Sequence, residues 1–201
     1  MIQLFSVKGA CSMASHIILE ELDLPHVITE LKWGETPEGW AELRKHNPMG
    51  QVPTLVTEEG YGLAEGPAIL QYLVTKKPND LFPTTNGELR FRALEWLNFV
   101  SSAIHTAYSP LFTPEGKAPG AYRDGVLKNV HRRLAAAEAR LAGDYGLGGV
   151  FTIIDAYLYV VLSWSPFVGV SLEDYPKLKA FTERVHARPA VKRAYHSYSH
   201  A

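Results

Sequence analysis

The spacing of hydrophobic and polar positions changes character near residue 80. Before that point short apolar runs alternate with helical patterns. Ile2 to Ser6 reads as a buried strand, and Val7-Lys8-Gly9-Ala10 as the turn after it. Ser12 to Leu22 follows helical spacing, with Ile17, Ile18 and Leu22 on its apolar side. Leu24-Pro25 breaks that helix, and Val27 to Leu31 forms a second strand. Thr36-Pro37-Glu38 starts another helix, whose buried positions are Trp40 and Leu43. Thr54-Leu55-Val56 is a short apolar run, Glu58-Glu59-Gly60 a hairpin turn, and Tyr61 to Ala64 a returning strand. A third helix is predicted from Pro67 to about Thr75. Periodicity alone gives an α/β unit of order β-α-β-α-β-β-α.

Beyond it no convincing strand is found. Residues 79–87 are polar and turn-rich and are read as a linker between an α/β part, residues 1–78, and a helical part, residues 88–201. Leu94, Leu97, Val100 and Ile104 carry one helix from Leu89 to Ala107. Val126, Val130, Leu134, Ala137 and Leu141 carry another. Thr152 to Trp164 has almost no polar face, so it belongs at the centre of its domain. Thr152 and Asp155 at its start fit a capping box, which makes Asp155 a folding residue in this reading. Tyr175-Pro176 and Arg188-Pro189 open the last two helices.

Composition narrows the function. With 46% hydrophobic and 20% charged residues, the 201-residue chain is an ordinary globular one. A net charge of -1 offers no basic field for nucleic acid. The first residues lack a basic, then long apolar, signal-peptide pattern, and no stretch approaches a membrane span. A single cysteine excludes an internal disulfide and a cysteine-rich zinc site, and a cytoplasmic location is expected. The histidines other than His105 (His16, His26, His46, His131, His186, His196, His200) show no metal-ligand spacing with partner acids, so no metal is expected.

The chemistry concentrates between Asn47 and Gly66. Asn47-Pro48 and Gly50 mark a turn, and Val52-Pro53 stands at the mouth of a strand, where proline is tolerated. A cis bond there turns the Val52 N–H and C=O outward, ready to pair with an extended peptide. Glu65-Gly66-Pro67 opens a helix. Free N–H groups at a helix start hold a carboxylate, and an adjacent acid holds an ammonium. The stretch suits a small peptide with an amino-acid head group. Cys11 follows a Gly-Ala turn at the start of the first helix, a position expected to lower a thiol pKa from about 8.5 toward neutrality; its alternative is a small buried hydrophobe.

The segments GQVPTL and AEGPAILQYL resemble the glutathione-binding half of the soluble glutathione transferases. KGACSMASHIILEEL resembles the bacterial beta class, which has a cysteine at this position. EWLNFVSSAIHTAYSPLF and FTIIDAYLYVVLSW extend the resemblance into the helical half. It implies a thioredoxin-like N-terminal domain followed by an all-α domain, with glutathione as co-substrate and no metal. It implies that Glu65 holds the γ-glutamyl ammonium and that the Gly66 N–H meets its carboxylate. Val52, with Pro53, pairs with the cysteinyl unit. Cys11 faces the glutathione sulfur, and His105 reaches the same sulfur from the helical half. Asn98, seven residues before His105 and so on one helix face with it, contacts glutathione, with Ser102 beside it.

One departure stands out. The beta-class lysine that meets the glycyl carboxylate follows the second strand; in this chain Lys32-Trp33-Gly34-Glu35 is one residue shorter, leaving Lys32 or Trp33 to serve. Tyr108, Phe112, Trp164 and Phe167 are apolar candidates for the second substrate, with core packing the commoner fate of such residues. The implied activity is transfer of the glutathione thiolate to a small hydrophobic electrophile, in a homodimer that binds neither nucleic acid nor membrane. Alternatives are thiol–disulfide exchange through Cys11, a dehalogenase or isomerase using glutathione as cofactor, and a non-catalytic binding module.

Overall fold

The computed structural model describes residues 1–198, which divide into two compact units. His200 lies outside the described residues. The first unit comprises residues 1–79 together with residues 187–198; the second runs from Asp80 to His186.

In the first unit the strands β1 (Ile2–Val7), β2 (His26–Leu31), β3 (Thr54–Val56) and β4 (Gly62–Ala64) form one mixed sheet in the order β2-β1-β3-β4. β1 pairs parallel with β2, from Ile2 opposite His26 to Val7 opposite Leu31. It pairs antiparallel with β3, Leu4 facing Leu55, and β3 turns back onto β4. Ile2, Leu4, Phe5 and Val7 are buried, as a central strand covered on both faces requires. Helix α2 (Pro37–His46) closes a core of Phe5, Val7, Leu31, Trp40 and Leu43. Helices α1 (Met13–Glu21) and α3 (Gly66–Val74) pack on each other. The strand and helix order is the one the sequence predicts.

The second unit is helical: α4 (Glu88–Phe99), short α5 (Thr106–Tyr108) and α6 (Pro114–Lys117), long α7 (Ala121–Arg140), α8 (Ile153–Leu162) and α9 (Pro176–His186). The final helix, α10 (Pro189–His196), packs on α1 in the first unit, where the sequence pattern alone groups it with the other helices. Its apolar residues Ala190, Val191 and Ala194 are buried, while Arg188 and Arg193 pair with Glu21 and Glu20 of α1. A short amphipathic helix carries no label for which apolar surface it covers. The packing leaves α1 buried almost throughout, His16 included.

One segment departs from helical expectation. Between α4 and α5, Val100–His105 is a π-helix. Ser101 and Ser102 hydroxyls both donate to the Asn98 carbonyl, at 3.1 and 2.8 Å, and the Thr106 hydroxyl donates to the Ser102 carbonyl. Such back-bonding hydroxyls compete for helix carbonyls and loosen the α-helical ladder. The wider turn absorbs roughly one extra residue, so Asn98 and His105 are offset by about 120° instead of sharing one face.

All ten residues of α8 are buried, and each fully buried aliphatic side chain there contributes about 1.5–3 kcal/mol. Its start is held by Asp155. The Thr152 N–H and hydroxyl both donate to Oδ2 at 2.7 Å, and the Gly146 N–H donates to Oδ1 at 2.7 Å. Burial nevertheless pushes the carboxyl up to about 6, against the pull of those bonds. A folded-state pKa above the ordinary one means the native chain binds more protons, so this residue's contribution to stability declines as pH rises from about 4 through 6. Replacing Asp155 by alanine strands two buried N–H groups and is expected to cost about 2–4 kcal/mol in urea unfolding. An Asp155→Ala protein with the parental melting temperature contradicts this role.

Candidate functional site

In the first unit the loop from Asn47 to Thr54 is built around a buried amide. Asn47, 6% exposed, donates from Nδ2 to the Gln51 carbonyl at 3.1 Å and to Thr54 Oγ1 at 3.0 Å. Its Oδ1 accepts from the Met49 N–H at 3.1 Å, and its carbonyl accepts from the Gly50 N–H. Thr54, fully buried, donates to the Gln51 carbonyl at 2.7 Å. Both amide protons and the amide oxygen of Asn47 are thus used, so the loop is fixed without strand pairing. Neither Asn47 nor Thr54 is a site residue in the sequence reading, where Asn-Pro signals only a turn. The loop carries Val52, half-buried, and Pro53, buried, with the bond between them cis. The Val52 N–H makes no hydrogen bond among the described residues. Its carbonyl, expected to be free, accepts the Cys11 thiol at 3.4 Å.

Glu65 caps α3 with φ 69° and ψ 113°, a conformation that disfavours any residue but glycine. Its carbonyl accepts from the Ala68 and Ile69 N–H groups, while its side chain is exposed and makes no capping bond. Strain of about 1–3 kcal/mol at a non-glycine residue points to a side chain kept for what it does. Dipole capping alone does not account for it. The adjacent Gly66 N–H, at the first helical position, has no carbonyl four residues back to bond.

Cys11 lies two residues before α1, and Ser12 holds the cap position. Its thiol departs from expectation. Burial pushes it up to about 11, against the helix-end N–H groups of Ser12 and Cys11 that pull it down, and the Glu65 carboxylate adds to the rise. Desolvation outweighs the helix end because the sulfur is packed among protein atoms, although the residue as a whole is only half-buried. Cys11 is a protonated hydrogen-bond donor at neutral pH, as its bond to the Val52 carbonyl requires. Residues 11, 52, 65 and 66 therefore form one neighbourhood, linked by the Cys11–Val52 bond and the electrostatic effect of Glu65 on Cys11.

A cavity of about 420 Å³ lies in the same unit, lined by Trp33, Gly34, Glu35, Pro37, Trp40, Arg44 and Gly50. Trp33, 67% exposed, stacks on Trp40 with ring centroids 5.0 Å apart. Gly50 sits at φ +64°, and a Cβ there would come within 3.2 Å of Arg44 Nε. Arg44 has no carboxylate partner among the described residues. Lys32 does not line this cavity; its N–H and carbonyl are bonded to the Thr36 hydroxyl and the Trp40 indole. Arg44 went unpredicted because nothing along the chain relates it to the loop it faces.

In the second unit, His105 Nδ1 meets the Tyr157 hydroxyl at 2.7 Å and its ring packs edge-on against Trp164 at 4.9 Å. Burial lowers its pKa from the ordinary value, which favours the neutral imidazole. Asn98 is exposed, with Nδ2 donating to the Leu94 carbonyl, and Ser102 is exposed with its hydroxyl on Asn98. Of the aromatic candidates, Tyr108 is core, bonded to Ser165 at 2.7 Å, and Trp164 is 8% exposed. Phe112 and Phe167 are exposed. Among the remaining histidines, His131 and His186 bond Tyr175 and Tyr159. His16 and His26, however, converge with Glu20.

The chain matches the family model for the N-terminal domain of glutathione S-transferase over residues 9–76 and that for the C-terminal domain over residues 99–189. It is similar to glutathione S-transferase GstA of Escherichia coli O157:H7, 36% identical over 196 residues that cover 96% of each chain. A sphingomonad glutathione S-transferase solved in complex with glutathione superposes with a TM-score of 0.88 at 36% identity, over 97% of this chain and 98% of that one. A bacterial beta class glutathione S-transferase from Sphingomonas chungbukensis superposes with a TM-score of 0.88 at 32% identity and the same coverage. No helix among the described residues is long and apolar enough to cross a membrane.

The thiol geometry sets a direct test. The alkylation rate of Cys11 by iodoacetamide, followed through a pH series of the reduced, ligand-free protein, is expected to show the thiol ionising well above the ordinary range of about 8–9. An ionisation below about 8 contradicts the burial argument.

Proposed function

The chain belongs to the glutathione S-transferase family and groups with its bacterial beta class members, and we propose that it joins the glutathione sulfur to small hydrophobic electrophiles. The observation that carries the reading is the neighbourhood of Cys11, Val52, Glu65 and Gly66. An extended peptide beside Val52 finds a free N–H there. Its cysteinyl N–H competes with the Cys11 thiol for the Val52 carbonyl, and a displaced Cys11 S–H is then a donor for the glutathione sulfur. Glu65 takes the γ-glutamyl ammonium, and the Gly66 N–H takes its carboxylate. The helical unit's part, His105 with Asn98 and Ser102, rests on the family pattern; a neutral imidazole donor suits a sulfur anion.

In the reaction the glutathione thiolate attacks an electrophilic carbon, a carbon–sulfur bond forms, and the leaving group departs with the bonding pair. Hydrogen-bond donors aimed at the sulfur stabilise its anion. A Cys11 thiol held protonated favours this donor role over Cys11 as nucleophile in disulfide exchange. For the glycyl carboxylate we assign Arg44 in preference to Lys32, because Arg44 lines the cavity beside Gly50, two residues from Val52. An extended peptide advances about 3.5 Å per residue, so its next unit reaches that side. The exposed Phe112 and Phe167 are candidates for the apolar electrophile. The proposal includes a homodimer, as in the family pattern, and the cytoplasm, whose reducing conditions suit a lone thiol.

Four variants test it. Glu65→Gln is expected to raise the KM for glutathione at least about tenfold, the worth of one charge-assisted hydrogen bond, without lowering the melting temperature. An unchanged KM removes Glu65 from the site. Arg44→Ala should weaken glutathione but not γ-glutamylcysteine, which lacks the glycyl unit; equal effects on both, or the same selectivity in Lys32→Ala, shift the assignment away from Arg44. Cys11→Ser keeps a donor and should retain conjugation with activated aryl halides. Any disulfide exchange through Cys11 should vanish in the same protein, and loss of conjugation along with it would make Cys11, not the bound glutathione thiolate, the essential sulfur.

A further inference from the structure

A second cluster lies in the first unit near the C-terminal end of α1. His16 and Glu20, one turn apart on α1, meet His26 at the start of β2, and a ligand atom of each lies within 4.8 Å of the other two. His16 Nε2 and His26 Nε2 both stand 3.7 Å from Glu20 Oε1. That is too long for a hydrogen bond. His16 is fully buried, and its Nε2 has no hydrogen-bond partner. Along the chain these residues look unrelated, and only the return of β2 beside α1 assembles them.

The protons around the cluster can be assigned. His26 Nδ1 lies 2.7 Å from the Leu24 carbonyl, which can only accept, so Nδ1 carries the proton. For His16 the assignment runs along a chain of hydroxyls. Ser12 donates to the Val7 carbonyl at 3.3 Å, and Ser6 donates to Ser12 at 2.8 Å. Each hydroxyl has one proton, so the Tyr198 hydroxyl, 2.5 Å from Ser6, donates to Ser6 and accepts from His16 Nδ1 at 3.1 Å. In the neutral form of each ring Nε2 is therefore a bare lone pair. Glu20 Oε2 is occupied by Arg193 Nε at 2.7 Å, which leaves Oε1 facing the imidazoles.

Three lone-pair donors thus converge with no donor hydrogen between them. We infer that His16 Nε2, His26 Nε2 and Glu20 Oε1 form a binding site for one divalent ion of the zinc class, with solvent completing a tetrahedron. Two imidazoles and a carboxylate are a zinc-type ligand set. Bonds of about 2.0–2.1 Å place tetrahedral ligand atoms about 3.4 Å apart, so the two 3.7 Å separations from Glu20 close by a few tenths of an ångström, while the two imidazoles, whose ligand atoms lie within 4.8 Å, close by up to about 1.4 Å through rotation of the partly exposed His26. Each imidazole has its other nitrogen fixed by an outer partner, and the carboxylate is oriented by Arg193, as metal ligands require. Side-chain exposures of 14% for His26 and 19% for Glu20 leave an entry route and room for water. The ion would tie α1 to β2 and, through Arg193 and Tyr198, to α10 and the residues after it. The Arg193 charge weakens the site without filling it.

The test uses the full, tag-free chain in a Cys11→Ser background, stripped with EDTA and kept free of glutathione. Titration with Zn²⁺ against a chromophoric chelator is expected to give one ion per chain. His26→Ala and Glu20→Gln, the partly exposed ligands, should each weaken it at least about tenfold. Zn²⁺ should raise the melting temperature of the parent and not of these variants. Saturable binding that both variants keep, or no saturable binding in the parent, overturns the site.

Discussion

The first unit depends on one buried side chain that is neither apolar nor catalytic. Asn47 satisfies its amide entirely within the loop it starts, and Thr54 closes the other end. Loop backbone is ordinarily fixed by sheet pairing or left to solvent. In this loop an amide does that work, so residues 50–53 hold their course although no strand pairs with them. The Val52 backbone, the Gly50 edge of the cavity and the first residue of β3 all inherit their positions from it. Replacing an amide like this with an apolar group leaves several backbone groups unpaired in a buried place, each costing about 1–3 kcal/mol.

Charge within this unit follows from what is kept out of water. Desolvation prevails over the helix end at Cys11, which leaves an uncharged thiol beside a carboxylate at Glu65. An anionic thiol there would repel Glu65; a protonated one gives its hydrogen first to Val52 and then to whatever displaces it. At the other end of α1, His16 is desolvated too, with a different outcome: its lone pair faces a carboxylate oxygen and another imidazole, the set we propose to hold a cation.

Much of this is legible in the sequence, and the failures have definite causes. The strands, the helix from Pro37, the start of α3 at Gly66 and the buried character of α8 follow from period and punctuation, because each is a local property. The Val-Pro corner and the acid before Gly66 are legible for the same reason. Three features are not. The π-helix at Val100–His105 keeps the same hydrophobic residues and changes only the hydrogen-bond step, so spacing cannot show it. The Cys11 pKa depends on the surroundings that bury the sulfur, which outweigh the visible helix start. Arg44 at the cavity and the His16–Glu20–His26 cluster depend on elements returning to each other, with no shared motif to announce them. The packing of α10 on α1 is of that kind as well.

Everything proposed for the first unit turns on whether a tripeptide is held by its backbone and head group, independently of its sulfur. Isothermal calorimetry of the reduced protein with S-methylglutathione, which keeps both ends and cannot form a thiolate or a disulfide, measures this most directly. Saturable uptake of one equivalent per chain, abolished when the ligand's γ-glutamyl amine is acetylated, is the predicted result. No heat of binding with either S-methylglutathione or glutathione would contradict it.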